Sequence, residues 1–461
     1  MTTATGSEPA DLRIVIVGAS LAGLRTAESL RAGGHRGPLT IIGDEAQEPY
    51  DRPPLSKQVL LGLAPAGGTG LPRLTRLDGV EWLLGVPAVG LDREERHVAL
   101  GDGRTVPYDR LVVATGVRAR PWPVAEEGAL EGVVAVRTSE DARHLRELLD
   151  ARPDRVVVIG GGFTGSEVAS VCRQLGLPVT LVEQGSTPLG GALGDVVGTI
   201  AGELQRDHGV DLRTGTTVAS IDGDGRVRQV VLSDGTRLDV GVVVVALGSI
   251  RNVEWLYGSR LAAGPLGLSS DAGCRAFDID GLVCDDIFVA GDVSRFPHAL
   301  YNYEFLSLEH WENAVAQARV VAHNMVCDPI RRVPHISVPA FWSIQFGVNI
   351  KSVGVPPYAD EIQFTQGSKA DHNPVAAYGR DGRVVAAVFF DQAKWLDFYR
   401  AQIESAAPFP LDLPQIDDAT PGRAEPVTFP VATHHAPTVV LSGHDPDQVR
   451  AHVVGMDGGR S

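Results

Sequence analysis

The stretch VVVIGGGFTG, residues 156–165, decides the fold of this chain. Its apolar half predicts a buried parallel strand, and its glycines allow a tight turn that brings backbone N–H groups and a helix N-terminus to a pyrophosphate. The run VTLVE follows at residues 179–183, so Glu183 comes 23 residues after Gly160. This spacing predicts a complete βαβ unit that binds a dinucleotide.

The acid at the end of that unit indicates which dinucleotide is preferred. The residues after Glu183 are Gln184-Gly185-Ser186, and they include no Arg or Lys. A carboxylate would bond a free ribose 2′-hydroxyl and repel a 2′-phosphate. The sequence therefore favours NADH over NADPH.

A similar stretch, IVIVGASLAG, lies nearer the N-terminus at residues 14–23. It is followed by TIIGDE at residues 40–45, in which Asp44 or Glu45 would accept a hydrogen bond from a ribose hydroxyl. Ser20 stands where the middle glycine is expected, so the match is imperfect. A chain with two such units usually holds two dinucleotides face to face, which indicates electron transfer between them.

Length and composition are ordinary for a soluble globular protein. The 461 residues are enough for about three domains, with 44% hydrophobic and 21% charged residues. A net charge of −16 disfavours nonspecific binding to nucleic acid or anionic membranes. Without a visible signal peptide or a run of membrane-spanning length, we expect a cytoplasmic protein.

The four cysteines exclude one kind of chemistry. Many flavoproteins with two dinucleotide sites carry a redox-active Cys pair just after the first βαβ unit. Here the cysteines are Cys172, Cys274, Cys284 and Cys327, without CxxC or CxxxxC spacing. They are expected to be small buried residues, and a dithiol disulfide reductase of that type is excluded.

The predicted fold class is α/β, with two Rossmann-like dinucleotide-binding domains of the glutathione-reductase type and an α+β C-terminal domain. Residues 1–118 and 248–325 would form the first domain, interrupted by a second at 119–247. A strand is expected over 242–248 and an amphipathic helix over 309–325. Residues 326–410 would form the C-terminal domain, with a hairpin turn at 379–382, and residues 411–461 an extension of no assigned function.

The stretch PYDRPPLSK, residues 49–57, resembles the signature of NADH-dependent ferredoxin reductases that serve bacterial cytochrome P450 and Rieske oxygenase systems, relatives of apoptosis-inducing factor. The likeness recurs at residues 114–116, 136–138, 162–167, 290–293, 309–314 and 341–343, and covers about residues 12 to 405. It implies an FAD enzyme that passes electrons from NADH to a ferredoxin feeding an oxygenase such as a P450. Either a monomer or a homodimer is compatible with it.

The resemblance also implies roles for single residues. Asp292 would bond the ribityl chain of FAD, and Lys57 and Glu167 would form an ion pair near the isoalloxazine ring. Arg137 would contact FAD, as would Trp311, and Trp342 would lie beside the flavin ring. The predicted catalytic residues are Lys57, Glu167 and Trp342, and no metal ligand is predicted. The residues expected to contact FAD or NAD are Gly18, Ser20, Leu21, Ala22, Gly23, Asp44, Glu45, Arg52, Lys57, Ala88, Ala114, Thr115, Gly116, Arg137, Gly160, Gly162, Phe163, Thr164, Gly165, Glu167, Glu183, Gly248, Gly291, Asp292, His310, Trp311 and Trp342.

Two departures from the family pattern leave other functions open. Leu308 stands before Glu309 where many relatives carry a basic residue, and Ile344 stands where an Asp is common. One alternative is a self-contained NADH-dependent flavoenzyme that reduces oxygen, a quinone or a small organic substrate. Another is an NADH-responsive binding protein. If a ferredoxin is the partner, a basic patch near the flavin edge, with Arg73 or Arg76 as candidates, would be needed.

Overall fold

The computed structural model describes residues 12–413, 421–429, 438–442 and 450–454, so residues 1–11 of the predicted first domain and part of the predicted extension lie outside the described residues. Its helices are α1 (Leu21–Ala32), α2 (Ala125–Gly128), α3 (Ser139–Asp150), α4 (Phe163–Gln174), α5 (Gly190–Asp207), α6 (Trp311–Val326) and α7 (Leu396–Glu404). Its strands are β1 (Ile14–Val17), β2 (Leu39–Ile42), β3 (Val80–Leu83), β4 (Ala88–Asp92), β5 (His97–Leu100), β6 (Thr105–Pro107), β7 (Arg110–Val113), β8 (Val117–Ala119), β9 (Val133–Val134), β10 (Val156–Ile159), β11 (Val179–Glu183), β12 (Asp211–Thr214), β13 (Val218–Asp224), β14 (Arg226–Leu232), β15 (Arg237–Asp239), β16 (Val242–Val245), β17 (Ser249–Arg251), β18 (Ala263–Gly264), β19 (Gly267–Ser269), β20 (Arg275–Phe277), β21 (Val283–Val289), β22 (Ser294–His298), β23 (Glu304–Leu306), β24 (Ala340–Gln345), β25 (Val348–Gly354), β26 (Glu361–Gln366), β27 (Val375–Arg380), β28 (Arg383–Phe390), β29 (Glu425–Pro426), β30 (Thr438–Ser442) and β31 (Arg450–Val454).

The first sheet draws its strands from two distant parts of the chain. Its order is β20-β21-β7-β1-β2-β3, and β1 lies parallel to both β2 and β7. Every residue of β1 and β2 is buried, as expected for strands covered on both faces. Helices α1 and α6 pack against each other beside this sheet.

The second sheet lies wholly within the middle of the chain, in the order β12-β11-β10-β16-β9. All its pairings are parallel, and β10 and β16 are fully buried Val/Ile runs. A separate antiparallel meander of β13, β14 and β15 packs beside it. Where the chain passes between the two sheets, β8 and β17 pair antiparallel, so both crossings lie side by side.

A third, antiparallel sheet follows in the order β24-β25-β28-β27-β26-β29. The hairpin between β27 and β28 turns through Asp381 and Gly382, whose φ angles are +51° and +69°. Positive φ at both central residues defines a type I′ turn, which matches the twist of the flanking strands. Helix α7 covers this sheet, and the predicted fold class, two parallel α/β units followed by an α+β unit, is confirmed.

Three predicted boundaries differ from the structure. The hairpin turn expected at 379–382 is shorter, because Gly379 and Arg380 belong to β27. The strand expected over 242–248 ends at Val245, because the chain turns at Gly248, whose φ is +82°. The helix expected over 309–325 spans Trp311–Val326, since His310 has an extended backbone at the N-cap position. Among the described ranges, no helix is long and apolar enough to cross a membrane.

Candidate active site

A cavity of about 770 Å³ lies where the three sheets meet. This volume is within the range of roughly 300–1,000 Å³ that small-molecule sites occupy. It is lined from the first unit by residues that include Gly18, Ser20, Leu21, Ala22, Asp44, Glu45, Arg52, Lys57, Ala114, Thr115, Gly116, Arg137, Gly291, Asp292, His310 and Trp311. The second unit contributes Phe163, Thr164, Glu167, Gly191 and Ala192, and the third contributes Phe341, Trp342, Pro356 and Pro357.

The first glycine-rich turn is built for close backbone approach. Gly18 has φ +124°, and a Cβ there would lie 2.1 Å from the carbonyl oxygen of Ala114. A Cβ on Gly23 would lie 1.9 Å from the carbonyl oxygen of Gly18, so helix α1 can pack on β1 only without side chains here. Ser20 occupies the N-cap position, and its hydroxyl caps no helix N–H group within the described structure. The side chain that breaks the motif is thus accommodated at the cavity wall.

The second turn repeats this geometry. Gly160 has φ +106°, and a Cβ on Gly165 would again lie 1.9 Å from the carbonyl oxygen of the turn's first glycine. At Gly162 a Cβ would meet open space. The first turns of α1 and α4 both lack acidic residues, so neither helix N-terminus opposes a bound anion.

The acids that follow each turn have different surroundings. Glu183 accepts hydrogen bonds of 2.6 Å from the backbone N–H groups of Gly161 and Gly185, which fix its carboxylate against the second turn. Glu45 is paired with Arg52 at 2.5 Å. Asp44 is exposed at the cavity wall and forms no ion pair among the described residues. Of the two predicted ribose acceptors, only Glu45 is therefore neutralised by a neighbouring cation.

Lys57 and Glu167 come together at the junction of the units. Lys57 Nζ lies 2.7 Å from Glu167 Oε2, and their side chains are 11% and 6% exposed. The same carboxylate accepts hydrogen bonds from the hydroxyls of Ser56, at 2.5 Å, and Ser343, at 2.7 Å. The ion pair and the two serines come from all three units and form one buried hydrogen-bonded cluster.

Arg137 and Asp292 form a second ion pair in the cavity wall, 3.0 Å apart. Arg137 also donates to the carbonyl oxygen of Val117, which fixes its guanidinium between the crossing strand and the acidic turn. Burial raises the pKa of Asp292 above its ordinary value, and the charge of Arg137 only partly opposes this. A carboxyl group in this position suits the hydroxyls of a polyol chain.

Two tryptophans border the cavity. Trp311 and Trp342 meet edge to face, with ring centroids 6.3 Å apart. The indole N–H of Trp311 donates to Asp51 Oδ1 at 2.9 Å. Burial raises the pKa of Asp51 despite this hydrogen bond. The arrangement offers flat apolar surfaces suited to a planar ring system.

The residues before α6 form a further charged group. Glu309 pairs with Arg251 at 2.6 Å and accepts from Ser249 at 2.6 Å. Burial acts to raise the pKa of Glu309, but Arg251 and these hydrogen bonds outweigh it, and the pKa lies below its ordinary value. Burial lowers the pKa of His310 to about 4, so this ring is neutral at pH 7. Leu308 is buried at the same wall.

Several predicted residues lie outside the cavity. Ala88 is in β4 and Gly248 is in a turn, and neither lines it. The same holds for Gly23, Gly160, Gly162, Gly165 and Glu183, which shape the two turns instead. Arg73 stacks on Trp82 and pairs with Glu48, and neither Arg73 nor Arg76 lies in the cavity wall.

Sequence reasoning missed some residues that the structure brings to the site. Ser56 and Ser343 each stand beside a residue of a recognised motif, but their shared partner Glu167 is more than 100 residues away in sequence. Asp51 lies within the PYDRPPLSK stretch, and its position in this motif could have identified it as a site residue. Arg251 is outside every motif, and no local pattern identifies it as the partner of Glu309.

The cavity fits FAD on its own geometry. The Gly18 turn leaves room for a pyrophosphate at the N-terminus of α1, Asp292 suits the polyol, and the tryptophans suit a planar ring. Comparison with known proteins agrees. Residues 12–318 match the family model described as pyridine nucleotide-disulphide oxidoreductase, and residues 340–420 match the model described as reductase C-terminal.

Curated relatives cover most of this chain. Putidaredoxin reductase from Pseudomonas putida is 35% identical over 404 residues, which span 85% of this chain and 93% of that protein. The ferredoxin–NAD(+) reductase component of an anthranilate 1,2-dioxygenase system from Burkholderia cepacia is 36% identical over 421 residues. The match spans 88% of this chain and 97% of that protein. Among solved structures, the covalent putidaredoxin reductase–putidaredoxin complex superimposes with a TM-score of 0.77 at 32% identity, covering 87% of this chain and 94% of the other.

Proposed function

This chain belongs to the pyridine nucleotide-disulphide oxidoreductase family, and on that basis we propose that it is an FAD-dependent NADH:ferredoxin reductase serving an oxygenase. The observation that carries the proposal is the single cavity that joins the first glycine-rich turn to the Lys57–Glu167 ion pair. The names of the relatives supply the reaction, since these include reductase components of dioxygenase systems and a putidaredoxin reductase.

The proposal assigns FAD to the first unit and NADH to the second. Residues 1–118 and 248–325 form the FAD domain, residues 119–247 the NAD domain and residues 326–410 the C-terminal domain. This division is supported by sheet membership, because one sheet combines β1 with β21 and the parallel sheet of the second unit lies wholly between residues 133 and 245. The turn at Gly18 would hold the FAD pyrophosphate, and Arg137 with Asp292 would hold its ribityl chain.

FAD, when bound, accepts a hydride from NADH and gives its two electrons to a one-electron carrier one at a time. The residues of the chain supply position and electrostatics. Glu183 would hold NADH by its adenosine ribose, and the N-terminus of helix α4 would receive its pyrophosphate. Trp311 and Trp342 border the space where the two ring systems would meet.

The Lys57–Glu167 ion pair places a buried cation in this space. Lys57 would stabilise negative charge that develops there during reduction, because an ammonium in a site of low dielectric interacts strongly with a nearby anion. Glu167 balances Lys57 before the reaction, and Ser56 with Ser343 keep Glu167 from rotating away. The serine hydroxyls thereby hold the cation at a fixed position in the cavity wall.

Despite the family name, the chain lacks the elements of a dithiol enzyme. All four cysteines are free and lie within the described residues, and three of them are buried. Burial raises the pKa of Cys172 to about 12 and of Cys284 to about 11, which disfavours the thiolate. Electrons would therefore leave to an acceptor outside the chain. The proposal includes a ferredoxin as that acceptor and a cytoplasmic location, where NADH is available.

The test is spectroscopic and kinetic. Purified protein should be yellow, with one noncovalent FAD per chain, and should reduce an iron–sulfur ferredoxin when NADH is supplied. A colourless protein that also fails to take up added FAD would refute the proposal. Fast NADH oxidation without any carrier would favour a self-contained flavoenzyme. FAD and NADH binding with only slow oxidation, with or without ferredoxin, would favour the NADH-responsive binding protein.

A further inference from the structure

Residues 421–429, which we call the C-terminal strap, lie beyond the 340–420 segment that the C-terminal family model matches. We propose that the strap positions helix α5, and through it the NADH side of the cavity. The inference rests on the proposed function, because it assigns the strap an effect on NADH binding. The sequence assigned no function to the extension, and this proposal gives part of it a role in the reaction.

The strap is held by the third sheet. Its strand β29 pairs antiparallel with β26, the outer neighbour of β27, and the backbone N–H of Val427 donates to the carbonyl oxygen of Asp360 at 3.1 Å. The backbone N–H of Gly422 donates to the carbonyl oxygen of Phe364, and the carbonyl oxygen of Gly422 accepts from the side-chain amide of Gln363. The strap thus has a fixed register on the sheet.

From this anchor the strap reaches a break in α5. Gly194 has φ +79° and ψ 168°, so the helix is interrupted after its first turn. A Cβ on Gly194 would lie 2.5 Å from Cγ2 of Val427 and 3.2 Å from the ring of Phe429. Val427 belongs to one buried apolar cluster with Leu189, Leu193 and Val197, on both sides of the break. The strap therefore packs directly into the kink.

Polar contacts hold the same point. The backbone N–H of Asp195 donates to the carbonyl oxygen of Thr428 at 2.9 Å, and the backbone N–H of Thr428 donates to Asp195 Oδ1 at 3.1 Å. That carboxylate oxygen also accepts from the N–H of Val196, so it caps the second part of the helix. Asp195 thereby connects the strap to the part of α5 that follows the break at Gly194.

The first turn of α5 connects this contact to the NADH site. Gly191 and Ala192 line the cavity, and the backbone N–H of Leu189 donates to the carbonyl oxygen of Gly161 at 2.8 Å. Gly161 is in the second glycine-rich turn, where it also donates to Glu183. A shift of this first turn would therefore move both the cavity wall and the turn that receives the NADH pyrophosphate.

Asp195→Ala in the full-length FAD-loaded protein tests the inference, with Asp195→Asn as the conservative variant. The alanine removes the acceptor for Thr428 and Val196, whereas the asparagine keeps an acceptor oxygen. The KM for NADH and the Kd for NAD⁺ should rise about three- to tenfold in the first variant and stay near wild type in the second. FAD content and kcat at saturating NADH should change less than about twofold.

Glu203→Ala is the matched control, since it removes a carboxylate from the exposed face of the same helix with no described hydrogen bond or ion pair. Hydrogen exchange gives a readout that is independent of turnover: amides of residues 190–200 should exchange faster in Asp195→Ala but not in Glu203→Ala. If Asp195→Ala loses FAD or unfolds, Val427→Ala against Arg423→Ala asks the same question from the strap.

Unchanged exchange at 190–200 together with an unchanged KM for NADH, in whichever of Asp195→Ala and Val427→Ala folds, would overturn the inference. An equal effect in the control variants would overturn it as well. Failure of the proposed function looks different, because wild-type protein would then lack FAD or NADH turnover while the exchange comparison still reports on the strap.

Discussion

At the residue scale, we propose that Glu183 decides which nucleotide is preferred. Its carboxylate is held by the backbone N–H groups of Gly161 and Gly185, so its negative charge is fixed in place, and in this proposal it would repel a 2′-phosphate. We expect NADH to be preferred over NADPH by about 2–4 kcal/mol, which is about 30- to 1000-fold in kcat/KM. Equal efficiency with both nucleotides would contradict this assignment.

Glu183→Arg should reverse the electrostatic part of this preference. The substitution removes the repulsion toward a 2′-phosphate but also the two hydrogen bonds to the turn, so we expect kcat/KM to fall for NADH and the NADH/NADPH ratio to drop by at least about tenfold. Steady-state kinetics with both nucleotides measure the ratio. Glu203→Arg introduces the same charge change away from the turn and should leave the ratio as it is.

Glu167→Gln tests the buried ion pair. The amide cannot balance the charge of Lys57, and an unpaired buried ammonium costs about 3 kcal/mol of stability. We expect the rate of flavin reduction by NADH, measured by stopped flow, to fall about 10- to 100-fold because the cation loses its fixed position. Glu147→Gln on the exposed side of α3 serves as control. A wild-type rate in Glu167→Gln would remove this pair from the mechanism.

At the scale of elements, the two βαβ units allow a matched comparison. Gly23→Ala and Gly165→Ala each place a Cβ 1.9 Å from a backbone oxygen, so each forces its helix away from its strand. Gly23→Ala should lose FAD, whereas Gly165→Ala should keep FAD and lose NADH binding. Flavin absorbance and NAD⁺ titration distinguish the two. Loss of FAD in both variants to the same degree would contradict separate sites.

A buried histidine pair between elements predicts how stability depends on pH. His335 donates to Asn313 Oδ1 of α6 at 2.9 Å, its other ring nitrogen has no partner among the described residues, and His298 lies beside it. Burial, with a smaller effect from His298, lowers the pKa of His335 to about 3, below its ordinary 6.5. The unfolded chain therefore binds a proton at higher pH than the folded chain does.

The sign follows from this difference in proton uptake. The neutral ring contributes its full stability above pH 6.5, and the contribution is lost as the pH falls toward about 3. Between pH 6.5 and about pH 5 we expect the free energy of unfolding to fall by about 2 kcal/mol from this group. His335→Gln, which can still donate to Asn313, should weaken that dependence in thermal melts. An unchanged pH profile would show that His335 titrates normally.

At the scale of the whole molecule, the net charge of −16 bears on the partner. Ferredoxins are commonly acidic, so fast docking requires a local basic surface, and electron transfer to a matched ferredoxin should slow as ionic strength rises. Reduction of a small uncharged quinone under the same salt series is the control and should change little. Rapid carrier-free oxidation of NADH, unaffected by salt, would instead indicate a self-contained flavoenzyme.

The sequence by itself determined the two dinucleotide units. Each depends on a short apolar strand, glycines at fixed spacing and an acid one strand later, and all of these are local in the chain. Backbone sterics make such turns nearly independent of the rest of the fold, and the structure repeats the same 1.9 Å constraint at Gly23 and Gly165. That the second unit interrupts the first stays a prediction, which was made from the apolar strand that runs into the acidic turn at Asp292.

Only the tertiary structure decided which distant side chains meet. Ser343 donates to Glu167, which is 176 residues away in sequence, and Arg251 pairs with Glu309, which is 58 residues away. The strap contacts the kink at Gly194, and Thr428 bonds Asp195 across 233 residues. Ala88 and Gly248 were expected at the site and lie outside the cavity. The physical reason is that these contacts depend on how three sheets pack against one another, which no periodicity or spacing within a single element specifies.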